Sequence, residues 1–132
     1  MIGIDANVLL RHVLADDPVW SEKSSRFLKD FCSPEQPGYI NPVTLAEVAW
    51  VLRRQPTYDR DKLALVIEDI LADENLVVGS REAVAAALDA FRIGSAGFVD
   101  CVVAELNAQA GASPTYTIDR KASKQTLFAR LP

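Results

Sequence analysis

Four acidic residues stand where a carboxylate is hard to read as ordinary solvated surface. Asp5 follows the apolar run Met1-Ile-Gly-Ile4, and Asp119 follows Thr115-Tyr-Thr-Ile118. Glu47 has Val43, Thr44, Trp50 and Val51 as neighbours at helical spacing, and Asp100 has Ala96, Gly97, Val103 and Ala104. Both therefore place a charge on a stripe that reads as core-facing. A buried carboxylate needs a cation, a proton or several donors. Four acids converging at one end of a sheet would repel one another, and a divalent ion relieves that repulsion. Mg²⁺ takes oxygen ligands and keeps several waters. Pattern alone overcalls, because Glu68 also has apolar same-face neighbours and earns no role. The combination of two strand-end acids with two helix-start acids is what raises the case.

The elements that must position these acids read as short strands alternating with helices. An opening strand leads to a helix over 7–14 and a second over 18–31, which carries Trp20, Phe27, Leu28 and Phe31. A strand at Tyr39-Ile40 precedes a helix opened by Pro42, and Trp50 on that helix reads as core, like Trp20. A helix over 60–72, a strand at Leu76-Val-Val78 and a helix N-capped by Ser80 follow. The break Gly94-Ser-Ala-Gly97 introduces a helix over 98–110, and Thr115 to Ile118 forms a fourth strand. Leu127-Phe128 adds a fifth. This alternation predicts an α/β fold, a three-layer α/β/α sandwich with a mainly parallel central sheet of four to five short strands. Ligands of such sheets bind beyond the carboxyl ends of the strands, where Asp5 and Asp119 fall.

Composition narrows the chemistry. The 132 residues, 49% hydrophobic, fit one domain over 1–132 that needs no disulfide or structural metal to fold. Cys32 and Cys101 match no metal-ligand spacing and read as buried small hydrophobes in a reducing cytosol. No apolar run reaches the roughly 20 residues of a membrane span, and Asp5 comes too early for a signal peptide. The expected location is cytoplasmic. A single histidine, His12, excludes a two-histidine nuclease and a zinc site built from several imidazoles. The net charge of -4 does not attract polyanions, so a nucleic-acid substrate requires local cations or bound metal.

Four blocks carry a family resemblance: Met1-Ile-Gly-Ile-Asp-Ala-Asn-Val-Leu-Leu-Arg11, Pro42-Val-Thr-Leu-Ala-Glu-Val-Ala-Trp-Val-Leu52, Phe98-Val-Asp-Cys-Val-Val-Ala-Glu105 and Thr115-Tyr-Thr-Ile-Asp-Arg-Lys121. In this order, and over essentially the whole chain, they resemble the signature blocks of PIN-domain ribonucleases. Within that family they resemble the VapC-like toxins of type II toxin–antitoxin pairs. The resemblance implies that Asp5, Glu47, Asp100 and Asp119 are catalytic and bind Mg²⁺, with Mn²⁺ as an alternative. Asn7 and Thr117 would support that shell. Where many relatives carry a further acid, three residues before Asp100, this chain has Gly97, which leaves the choice between one and two metal ions open.

The implied activity is hydrolysis of phosphodiester bonds in single-stranded or loop RNA, leaving a 5′-phosphate and a 3′-hydroxyl. The implied partners are the RNA substrate, a cognate antitoxin protein lying in an apolar groove of the early helices, and a second copy in a homodimer. Arg11, Arg120 and Lys121 are candidate phosphate contacts, and Arg53, Arg54 and Lys124 lie near the same blocks. Tyr116 alternates with Thr117 and should face away from the acids. Two alternatives are a catalytically silent PIN-like scaffold for RNA or protein and an aspartate-nucleophile phosphatase of the haloacid-dehalogenase type. The phosphatase pattern wants an aspartate where Asn7 stands. A receiver domain would need a phosphoacceptor at a middle strand end, whereas Glu47 lies in a helix.

Overall fold

Parallel strands need crossovers long enough to carry a helix, and the first three strands are joined by helical crossovers. A computed structural model describes residues 1–132. Strand β1 (Ile2–Gly3) leads through helices α1 (Ala6–Leu14) and α2 (Trp20–Phe31) to β2 (Gly38–Ile40). Helices α3 (Pro42–Arg53) and α4 (Arg60–Ala72) then lead to β3 (Leu76–Val78). Helices α5 (Arg81–Ile93) and α6 (Phe98–Gln109) precede β4 (Thr115–Thr117), and a 3₁₀ turn (Ala122–Lys124) precedes β5 (Phe128–Arg130).

All strand pairings are parallel. β2 lies between β1 and β3, so Gly38 stands opposite both Ile2 and Leu76. A Cβ on Gly38 would come within 2.9 Å of Ile4 Cγ1, and only glycine fits without movement. The five expected strands are present, but their hydrogen bonds divide them into a three-stranded sheet and a separate β4–β5 pair. β1 is an edge of the three-stranded sheet, and its ladder with β2 is only two residues long. The result is a small parallel α/β architecture flanked by helices.

Ile4, Ile40 and Val78 are buried at the sheet, against Leu45, Val48 and Leu52 of α3 and Val84 and Phe91 of α5. Local chemistry starts the helices that matter most. Asn41 Oδ1 accepts the Thr44 N–H at 2.8 Å ahead of Pro42, and Asp59 Oδ1 accepts the Lys62 N–H at 2.8 Å. The Trp20 and Val19 N–H groups bond the Asp17 carboxylate, hold its pKa below the usual range and delay α2 to Trp20.

Three expectations fail here. Ser80 makes no cap hydrogen bond, because it sits in the left-handed region at φ 51°, which turns the chain into α5 by backbone geometry alone. Trp20 and Trp50 are not core; they remain 59% and 58% exposed. Each indole lies under a neighbouring cation, Lys23 at 4.9 Å and Arg54 at 4.6 Å, which a buried ring would force out of water. Cys32 and Cys101 are buried as expected. No helix is long and apolar enough to cross a membrane.

Burial pushes the Cys101 thiol up to about 11, with the Asp100 charge adding to it, and burial likewise raises Cys32. A raised thiol pKa favours the protonated native state. The stability this confers is full below the unfolded value of 9.0 and is lost as pH rises toward about 11. Denaturant midpoints should therefore fall between those limits. A thiol reagent at pH 8 should label both cysteines in urea and neither in the native protein.

Candidate metal centre

Two strand ends deliver two of the acids. Asp5 leaves β1 as the N-cap of α1, where its Oδ2 accepts the Asn7 N–H at 3.3 Å. Asp119 follows β4, and its own N–H donates to Thr117 Oγ1 at 3.0 Å. Asp119 Oδ1 then accepts the N–H groups of Lys121 at 2.8 Å and Ala122 at 3.2 Å, which starts the 3₁₀ turn. Asn7 thus meets its acid through the main chain, and Thr117 through its hydroxyl. In both aspartates the second oxygen has no hydrogen bond within the protein.

Two helices deliver the others. Glu47 lies on the exposed side of α3, and Asp100 in the first turn of α6. α3 packs against both α1 and α6, which joins the three helices that follow or carry Asp5, Glu47 and Asp100. None of the four acids is in a salt bridge. Glu68, by contrast, is paired with Arg92 on the surface.

Desolvation raises the Asp100 carboxyl above the usual aspartate value, and the Asp119 charge raises it further, against a lowering by the Gly97 N–H. The Asp119 charge therefore reaches Asp100 across the chain. A Cβ on Gly97 would lie 3.5 Å from Asp100 Oδ2, an ordinary contact. Gly97 thus adjoins the Asp100 carboxylate and has room for a side chain.

No group of three or more acidic, histidine or cysteine side chains is gathered closely enough to form a ready metal cage. The four acids are accordingly not preassembled; what links two of them is the Asp119 charge acting on Asp100. Their chemistry nevertheless fits a hard divalent cation. The donors are all carboxylate oxygens, and none is neutralised by lysine or arginine. Two cavities of about 560 and 580 Å³ lie elsewhere, and neither is lined by any of the four. The acids occupy open surface, which a polymer can reach.

Among the expected phosphate contacts, Arg11 is held by Asp16 at 3.3 Å, while Arg120 and Lys121 flank Asp119 outside any ion pair. Arg53 donates to the Tyr58 carbonyl at 2.9 Å, and Lys124 borders the 560 Å³ cavity.

Two supports escaped the sequence reading. The Arg60 guanidinium donates to the carbonyls of Phe91 at 2.6 Å, Gly94 at 3.0 Å and Ala96 at 2.9 Å, and lies 4.0 Å over the Phe91 ring. It ties α4 to the loop from which Asp100 departs. Gln125 donates to the Ala90 carbonyl at 2.9 Å and accepts from Cys101 Sγ at 3.5 Å, tying the turn after Asp119 to α5 and α6. No local pattern marks either residue, since their partners lie far along the chain.

With this geometry in place, comparison with known families is decisive for the fold: residues 2–124 match the PIN domain. The chain belongs to the PIN-domain family. No curated protein matches it significantly. PIN domains are associated with nuclease activity and also include non-catalytic members.

Two stability effects follow for this PIN domain. Arg60→Met should cost about 2–4 kcal/mol in urea unfolding, because three carbonyls lose a charged donor. For Asp100 the native pKa is raised, so its favourable contribution belongs to the protonated form. That contribution is complete below the ordinary value of 3.8 and is lost as pH rises through the native value. Asp100→Asn should melt higher than the parent at pH 7 in EDTA, and the difference should shrink toward pH 4.

Proposed function

We propose that this PIN domain is a Mg²⁺- or Mn²⁺-dependent endoribonuclease acting on single-stranded or loop RNA, and the VapC-like toxin of a toxin–antitoxin pair. The observation that carries the reading is the Asp100–Asp119 pair. Desolvation and the Asp119 charge both raise the cost of ionising Asp100, and neither carboxylate has a lysine or arginine partner. With Asp5 and Glu47 they form an all-oxygen donor set suited to magnesium or manganese. A metal ion bound there would supply positive charge against the phosphate oxygens and the leaving oxygen.

The chain's own groups have separable tasks. Asp5 and Asp119 each commit one oxygen to backbone N–H groups, which fixes the direction of the other. Asp100, whose carboxyl is raised by desolvation and by the Asp119 charge, orients the attacking water. Arg120 and Lys121 meet the RNA backbone beside Asp119. His12 is not needed, and its Nδ1 is engaged with Ser25 Oγ at 2.7 Å. For the antitoxin, the seat is the 580 Å³ groove lined by Leu9, Val13 and Leu28 of the early helices with Val66 and Ile70 of α4. The cytoplasm is its proposed place of action, as a homodimer.

One observation favours a silent scaffold as the second reading: Gly97 supplies no carboxylate beside Asp100, and no three ligands are preassembled. Cleavage separates the two. A panel of single-stranded and structured RNAs should be cut with Mg²⁺ or Mn²⁺, yielding 5′-phosphate ends, and left intact in EDTA. Asp5→Ala and Asp119→Asn should each slow cleavage by about 10²-fold or more while circular dichroism stays unchanged. RNA that binds but is never cut, with either metal, would establish the scaffold instead.

A further inference from the structure

The exposed face of α3 carries more than an acid. Val43, Glu47, Trp50 and Arg54 fall within one narrow sector of the helix, since their spacings of four, three and four residues nearly complete whole turns. The sector is open to solvent, with Val43 78% and Trp50 58% exposed. At a rise of about 1.5 Å per residue, Trp50 lies about 4.5 Å along the axis from Glu47, and Arg54 about 6 Å beyond. The Arg54 guanidinium stands 4.6 Å from the Trp50 ring centroid and has no carboxylate partner.

We infer that this stripe is a nucleotide subsite: Trp50 stacks on a base of single-stranded RNA, and Arg54 contacts the adjoining phosphate. The inference rests on RNA being the substrate and adds where the strand runs beyond the acids. An exposed tryptophan beside an unpaired arginine suits a chain of flat bases joined by anionic linkers. Its length, from acid to ring to guanidinium, is on the scale of one or two nucleotides. The arginine also supplies positive charge that the chain as a whole lacks. A protein partner fits less well. The apolar positions are separated by Glu47 and followed by Arg53 and Arg54, whose charges would have to be desolvated. Trp20, also exposed beside a lysine, lies on α2 and adjoins none of the four acids in sequence.

Trp20→Phe leaves Trp50 as the only tryptophan, because the chain has two. In that full-length background, a ten-nucleotide single-stranded RNA is titrated in EDTA, reading tryptophan fluorescence and the dissociation constant. Binding should quench Trp50. In the chain that retains Trp20, Trp50→Ala should weaken binding about 5- to 100-fold and Trp50→Phe much less. Arg54→Ala should weaken binding and reduce the salt dependence by about 0.7 in the log–log slope. Unquenched binding, or a Trp50→Ala variant with unchanged affinity, overturns the inference. So does a Trp50→Ala variant that keeps its affinity but changes from dimer to monomer in sedimentation, which assigns the face to a second copy. RNA that quenches Trp50 yet is never cut upholds the subsite while the nuclease reading fails. Normal cleavage with unchanged KM in Trp50→Ala does the reverse.

Discussion

A carboxylate taken out of water resists ionisation, and Asp100 carries that constraint together with the repulsion of the Asp119 charge. Neither carboxylate has a cationic side chain to neutralise it, so the restraint comes from the scaffold. Backbone N–H groups fix one oxygen of Asp119, and the first turn of α6 fixes the main chain of Asp100. Behind them, Arg60 and Gln125 clamp the α5–α6 loop and the turn after β4 to the same end of α5. The Arg60 charge is engaged with carbonyls of the α5–α6 region and leaves the carboxylates free.

That division separates stability from function. The buried cluster runs through the sheet, α1 and helices α3 to α6 and contains none of the four acids. A core of this kind tolerates an unfavourable surface pair because its hydrophobic contribution is much larger than the repulsion. The unfavourable pair is also what a divalent cation would improve most, so the destabilised group and the proposed site coincide. The open placement of the acids agrees with a polymeric substrate, which cannot enter a closed cavity. The exposed aromatics belong to the same surface logic. Trp20 and Trp50 lie beneath lysine and arginine side chains that keep their heads in water, and a core position would deny them that solvation.

Much was legible in the chain itself. Alternating short apolar runs and helical stripes were enough for the parallel α/β class, because period and length distinguish buried strands from amphipathic helices. Asp5 and Asp119 were visible for the same reason: a carboxylate directly after a short apolar strand falls at the carboxyl edge of the sheet. Glu47 and Asp100 were harder, since a helical stripe shows which residues share a face but not whether the face is covered. That same ambiguity misplaced Trp50, which lies one turn from Glu47 on the exposed side.

Sequence by itself determined the element order, the parallel class and the buried cysteines, all of which depend on neighbours within a few residues. Tertiary structure alone decided the division of the strands into two sheets, the effect of the Asp119 charge on Asp100, the Arg60 and Gln125 clamps and the exposure of both tryptophans. These depend on groups brought together across tens of residues. Periodicity carries no information about such distances; only the packed chain sets them.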